Sequence, residues 1–67
     1  MRDWLIKARN KKGLTMKQMG EALDISESYY SLIESGERQK RMDLALVSRL
    51  SAVLDIPITE IAEMEGE

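Results

Sequence analysis

The chain contains no cysteine and no histidine. Without cysteine, neither a disulfide framework nor a thiolate metal site can staple the fold. Without histidine, the common zinc ligand and the usual proton shuttle are missing as well. Nor does the sequence set up paired carboxylates that helices would force together, so no enzyme, metal or cofactor is expected. Long apolar runs are also absent. No stretch approaches the ~18 consecutive apolar residues of a membrane span. The opening Met1-Arg2-Asp3-Trp4 lacks the apolar core of a signal peptide, so the cytoplasm is the expected location. The Val/Ile/Thr/aromatic alternation of a hairpin is missing too, which argues against strands.

What remains is a chain of 67 residues, 43% apolar and 33% charged, an ordinary globular composition. With no internal repeat, low-complexity tract or linker-like Pro/Gly/Ser run, residues 1–67 read as a single domain with no room for a separate ligand-binding unit. The net charge of −2 argues, as a total, against the basic surface of a nucleic-acid binder. Its distribution is uneven. Met1–Lys17 carries +5, Gln18–Ser35 −4, Gly36–Arg49 +2 and Leu50–Glu67 −5.

Helical spacing dominates. Trp4, Leu5 and Ala8 share one side of a first helix from about Arg2 to Lys12. Gly13 ends it, with Lys11 and Lys12 at the negative end of the dipole. Thr15 with Gln18 forms a capping box for a helix over Met16–Leu23 that buries Met19 and Leu23. Asp24-Ile25-Ser26 allows only a tight turn, Ser26 caps the next helix, and Tyr30 and Ile33 face inward before Ser35-Gly36 ends it. Asp43 caps a fourth helix with Leu44, Val47, Leu50 and Leu54 on its apolar face. Pro57 belongs to the first turn of a fifth, with Ile58 and Ile61 inward. The second and third helices, so closely joined, make a helix-turn-helix.

The segment Thr15-Met16-Lys17-Gln18-Met19-Gly20-Glu21-Ala22-Leu23-Asp24-Ile25-Ser26-Glu27-Ser28-Tyr29-Tyr30-Ser31-Leu32-Ile33-Glu34 resembles the helix-turn-helix of the phage-repressor/Cro-like (XRE-type) transcriptional regulators, and the resemblance runs from Leu5 to Ile61. Gly20 supplies the tiny residue at the helix crossing, where the family more often has alanine. Asp24 stands at the turn position where the family prefers glycine. Met19, Leu23, Ile25, Tyr30 and Ile33 fill its apolar positions, and Tyr30 needs a partner for its hydroxyl. Arg9 and Glu34 fall where the family places an ion pair. Two departures stand out. Met16 replaces the family's phosphate-contacting glutamine, and the usual proline-containing link is replaced by the longer Glu37-Arg38-Gln39-Lys40-Arg41-Met42.

The resemblance implies an all-α, five-helix, lambda-repressor-like fold and a sequence-specific regulator of transcription, most naturally a repressor. It would act as a homodimer on double-stranded DNA and be nucleoid-associated when bound. Base contacts would come from Glu27, Ser28, Ser31 and Leu32. Serine is versatile, Leu32 suits a thymine methyl, and Glu27 suits a cytosine amino group or, alternatively, only stabilises the helix dipole. Phosphate contacts would come from the helix start at Thr15, Met16 and Lys17, from Ser26 and Tyr29, and from the loop residues Arg38, Lys40 and Arg41. Ile58, Ile61 and Met64 would form the subunit contact, while Trp4 reads first as a core or helix-packing residue and alternatively as part of that contact. The acidic −4 of Gln18–Ser35 keeps open an alternative, an antitoxin or anti-repressor that uses the same fold on a protein partner such as a toxin.

Overall fold

The computed structural model describes residues 1–66. Glu67, grouped above with the acidic tail, lies outside the described residues. Five helices and no strand are found among the described residues: α1 (Asp3–Lys11), α2 (Met16–Leu23), α3 (Glu27–Ser35), α4 (Leu44–Leu54) and α5 (Ile58–Glu65). The all-α expectation holds, and α2 and α3 start and stop where the sequence places them.

Local chemistry sets these boundaries. Thr15 Oγ1 accepts from the Gln18 amide at 3.1 Å while the Thr15 amide donates to Gln18 Oε1 at 2.8 Å, closing the capping box. Ser26 Oγ accepts from the Tyr29 amide at 3.0 Å, and Asp43 Oδ1 from the Leu46 amide at 2.8 Å. Asp24 ends α2 in the left-handed region at φ 60°, and Gly36 ends α3 at φ 87°. Pro57 stands one place earlier than expected, as the N-cap of α5, where its carbonyl accepts from the amides of Glu60 and Ile61.

Helices of eight to eleven residues are marginal alone, so packing must hold them. The core is Leu5, Met19, Leu23, Tyr30, Ile33, Leu46, Leu50, Leu54 and Ile61. It sits where α2 meets α3 and α4, where α4 meets α5 and where α1 meets α3. Two expected inward residues are displaced from it. Leu44 is 72% exposed and Leu46 takes its place, so α4 is turned to bury 46, 50 and 54. Ile58 is 43% exposed, and Ile61 is the residue that α5 buries. At the crossing of α2 and α3, a Cβ on Gly20 would lie 2.9 Å from the Ile25 carbonyl oxygen and 3.2 Å from the Glu27 nitrogen, so the turn's backbone occupies the space of a side chain. Arg49 then fastens the outside of this unit, donating to the Leu23 carbonyl at 3.3 Å at the negative end of α2.

The left-handed conformation of Asp24 costs more than glycine would pay there. Asp24→Gly is expected to raise stability by about 0.5–1 kcal/mol, and a β-branched Asp24→Val to lower it by more than that. Urea denaturation of the three proteins checks the order; a variant order with glycine least stable contradicts it.

Candidate nucleic-acid interface

Helix α3 has two sharply different sides. Tyr30, Ile33 and Glu34 are buried, which turns positions 27, 28, 31 and 32 outward: Glu27 and Ser28 are exposed, and Ser31 and Leu32 half-buried. Met16, the first residue of α2, joins this face. Together Met16, Glu27, Ser28, Ser31 and Leu32 line one shallow open depression of about 400 Å³. The four expected base-reading residues are thus brought together. Met16, expected only where a phosphate contact lies, has its side chain among them.

The first turn of α2 borders that depression. Thr15 and Lys17 are exposed there. The capping box and the Met19–Thr15 bond occupy the other amides of the turn, leaving those of Met16 and Lys17 without an intramolecular acceptor among the described residues. Two free N–H groups, the positive dipole end and a lysine make this turn able to receive an anion. Ser26 is exposed, with its hydroxyl oxygen engaged in the cap.

On the other flank, Tyr29 is half-buried and its hydroxyl accepts from Gln39 Nε2 at 3.3 Å, which leaves the hydroxyl proton available. Arg38 is exposed at the end of α3, its amide donating to the Leu32 carbonyl at 3.2 Å. Lys40 and Arg41 are exposed but lie elsewhere. The clefts they border are completed by the N-terminal segment, α4 and α5, including Glu65, and by no residue of α3. Lys11 and Lys12 likewise share a cleft with Asp55 and Glu60, where acids offset them.

Helix α3 is held by a buried polar cluster. Arg9 Nε and the Tyr30 hydroxyl both donate to Glu34 Oε2 at 2.6 Å, and Arg9 Nη1 donates to the Leu14 carbonyl at 2.9 Å. The hydrogen bond to Glu34 raises the Arg9 guanidinium above its ordinary range, and burial, assisted by Glu34, pushes the Tyr30 hydroxyl far above its own. Both remain protonated donors at any physiological pH. Tyr30 thereby has the partner that its hydroxyl required.

Sequence reasoning missed Arg2. Its side chain is 8% exposed and gathers the loop after α3: Nη1 donates to the carbonyls of Ile33 at 2.6 Å and Arg38 at 3.2 Å, Nη2 to that of Gln39, and Nε pairs with Glu65 at 3.0 Å. Trp4 Nε1 donates to the same Glu65 carboxylate at 2.7 Å. The acidic end of the chain is therefore fastened to α1 through Glu65.

The expected subunit face is altered. Ile58 is exposed and Met64 half-buried, but Ile61 is fully buried in the protomer's own core and has no surface to offer a second copy. Among the described residues no group of carboxylates could hold a metal ion, and no helix is long and apolar enough to cross a membrane.

Residues 5–61 match the model of a family described as "Helix-turn-helix". Over 39 residues the chain is 44% identical to an uncharacterized HTH-type transcriptional regulator, YqaF, of Bacillus subtilis (strain 168), an overlap that covers 58% of this chain and 51% of the relative. The chain spans about half the length of that curated relative. No solved structure matches.

Proposed function

We propose, from the premise that the chain belongs to the XRE-type helix-turn-helix family, that it is a sequence-specific DNA-binding regulator of transcription, a repressor that acts as a homodimer and sets α3 in the major groove. It is a binding module rather than an enzyme. The observation that carries the reading is the outward face of α3: four side chains of a nine-residue helix converge on one open depression beside a helix start with two unpaired amides. In this reading Glu27, Ser28, Ser31 and Leu32 meet base edges. The first turn of α2 with Lys17 holds a phosphate on one flank, and the Tyr29 hydroxyl and Arg38 hold the backbone on the other. One such helix covers few base pairs, so a second copy on a half-site about one helical turn away, ~34 Å, supplies the selectivity. Ile58 and Met64 on α5 are the residues left for that contact.

Fluorescence anisotropy with labelled duplexes tests the reading. Affinity must fall as salt rises, because phosphate contacts release counterions. Arg38→Ala should weaken all sequences alike and reduce the salt slope by about one, whereas a Ser28→Ala, Leu32→Ala double variant should flatten the preference between sequences. Absent or salt-independent binding contradicts the reading.

The charge of −4 over Gln18–Ser35 favours a second reading, a protein-interaction module such as an antitoxin or anti-repressor. Glu21 and Asp24 are exposed and in no ion pair among the described residues. Capture of a partner protein in nuclease-treated extract, with no affinity for any duplex, would select it.

A further inference from the structure

We propose that each half-site presents a thymine whose 5-methyl group is held between Met16 and Leu32, next to a cytosine whose amino group donates to Glu27. The inference rests on the DNA-binding reading above and specifies the base edges that α3 accepts. Its ground is the inventory of the depression. Met16 and Leu32 contribute apolar ends, Ser28 and Ser31 contribute hydroxyls, and Glu27 contributes a carboxylate. No arginine, lysine, asparagine or glutamine belongs to it, so the depression itself supplies neither the bidentate contact to guanine nor that to adenine.

Each base edge can be tried against this set. Guanine offers the major groove only acceptors, which an ionised carboxylate repels and which leave the serines as sole donors. Cytosine offers an amino donor, which a carboxylate accepts. Glu27 is exposed and engaged in no ion pair among the described residues, so its acceptor capacity is unspent. Thymine alone places a methyl group in the groove, and the apolar contribution on this face comes from Met16 and Leu32. Met16 is half-buried, packed against the core and part of the depression's lining, and a polarizable side chain of that kind adapts to the shape of a methyl group. The replacement of a phosphate-contacting residue by methionine thus moves position 16 from holding the backbone to reading a base.

The test uses the intact protein and a duplex selected by it from a random pool. Thymines are replaced one at a time by uracil, which removes only the methyl group. One position per half-site should lose roughly fourfold in affinity, the equivalent of one buried methyl, and that loss should disappear in Leu32→Ala, whose fold is checked by circular dichroism. Separately, Glu27→Gln should change the preferred base at one adjacent position from cytosine to adenine. Salt-dependent, sequence-selective binding with no uracil effect at any position, or an uracil effect unchanged in Leu32→Ala, overturns the inference and leaves the DNA-binding reading standing. An unchanged base preference in Glu27→Gln overturns its cytosine half. Failure to bind any duplex overturns the DNA-binding reading itself.

Discussion

Arg9→Ala is expected to leave the chain largely unfolded at 25 °C. Glu34 is 3% exposed, and its Oε2 is shared between Arg9 and Tyr30, while Oε1 has no hydrogen-bond partner among the described residues. Removing the guanidinium strands a carboxylate in the core with a single neutral donor. Breaking a buried pair from one side costs about 3–5 kcal/mol. A core of this size rarely supplies more than about 3–5 kcal/mol in total, so the loss is comparable with the whole stability. The guanidinium also ties α1 to the Leu14 carbonyl, which adds to the loss. Replacing the entire cluster by apolar residues of similar volume, Arg9→Met with Tyr30→Phe and Glu34→Leu, should restore folding, since no unpaired charge then remains. Thermal melting followed by far-ultraviolet circular dichroism checks both variants. An Arg9→Ala protein that melts within a few degrees of the wild type would show that the pair is peripheral.

Ser31→Glu is expected to abolish measurable DNA binding while leaving the fold intact. Ser31 is half-buried and lines the depression on α3, and its side chain makes no hydrogen bond within the protein among the described residues. A carboxylate there would join that of Glu27 one helical turn away, and the pair would face the acceptor-rich, negatively charged groove. Unfavourable charge juxtaposition in an interface costs several kcal/mol, which predicts a loss of at least about 100-fold. Anisotropy titration against a bound duplex, with circular dichroism of the free protein alongside, reads both effects. Retained affinity in Ser31→Glu means that α3 does not enter the groove in this orientation.

Features whose chemistry is local were legible in the sequence. Thr15 with Gln18, Ser26 and Asp43 each cap the helix that follows them within three residues, so a short window contains the whole interaction. The left-handed Asp24 and Gly36 are equally local. Features decided by packing were not. In α4 the run Leu44-Ala45-Leu46-Val47 is apolar throughout, and periodicity alone does not say which stripe turns inward; contact with α2 and α5 selects Leu46. In α5, two isoleucines three apart each look inward, and only the helix's seating buries Ile61 and exposes Ile58.

Arg2 had no sequence signal at all. Its partners are three backbone carbonyls more than thirty residues away and a glutamate 63 residues away, and a carbonyl leaves no mark in a sequence. The loop from Glu37 to Met42 was unreadable for the same reason, since Arg2 and the Gln39 contacts to Tyr29 and to the Asp43 amide fix its path. That path separates the loop's basic residues, leaving Arg38 beside α3 and carrying Lys40 and Arg41 toward α5. Much of the acid lies at the α5 end and some of it, as Glu65, is paired, whereas Glu27 lines the depression on α3, with Lys17 in the neighbouring first turn of α2 and Arg38 just past the end of α3.

Selection of bound duplexes from a random pool asks whether the outward face of α3 reads a DNA sequence. The expected result is enrichment of a pseudo-palindrome whose half-sites are centred about one helical turn apart, ~34 Å, with the enrichment lost in the Ser28→Ala, Leu32→Ala double variant. A pool that stays random after repeated rounds at low salt would contradict it.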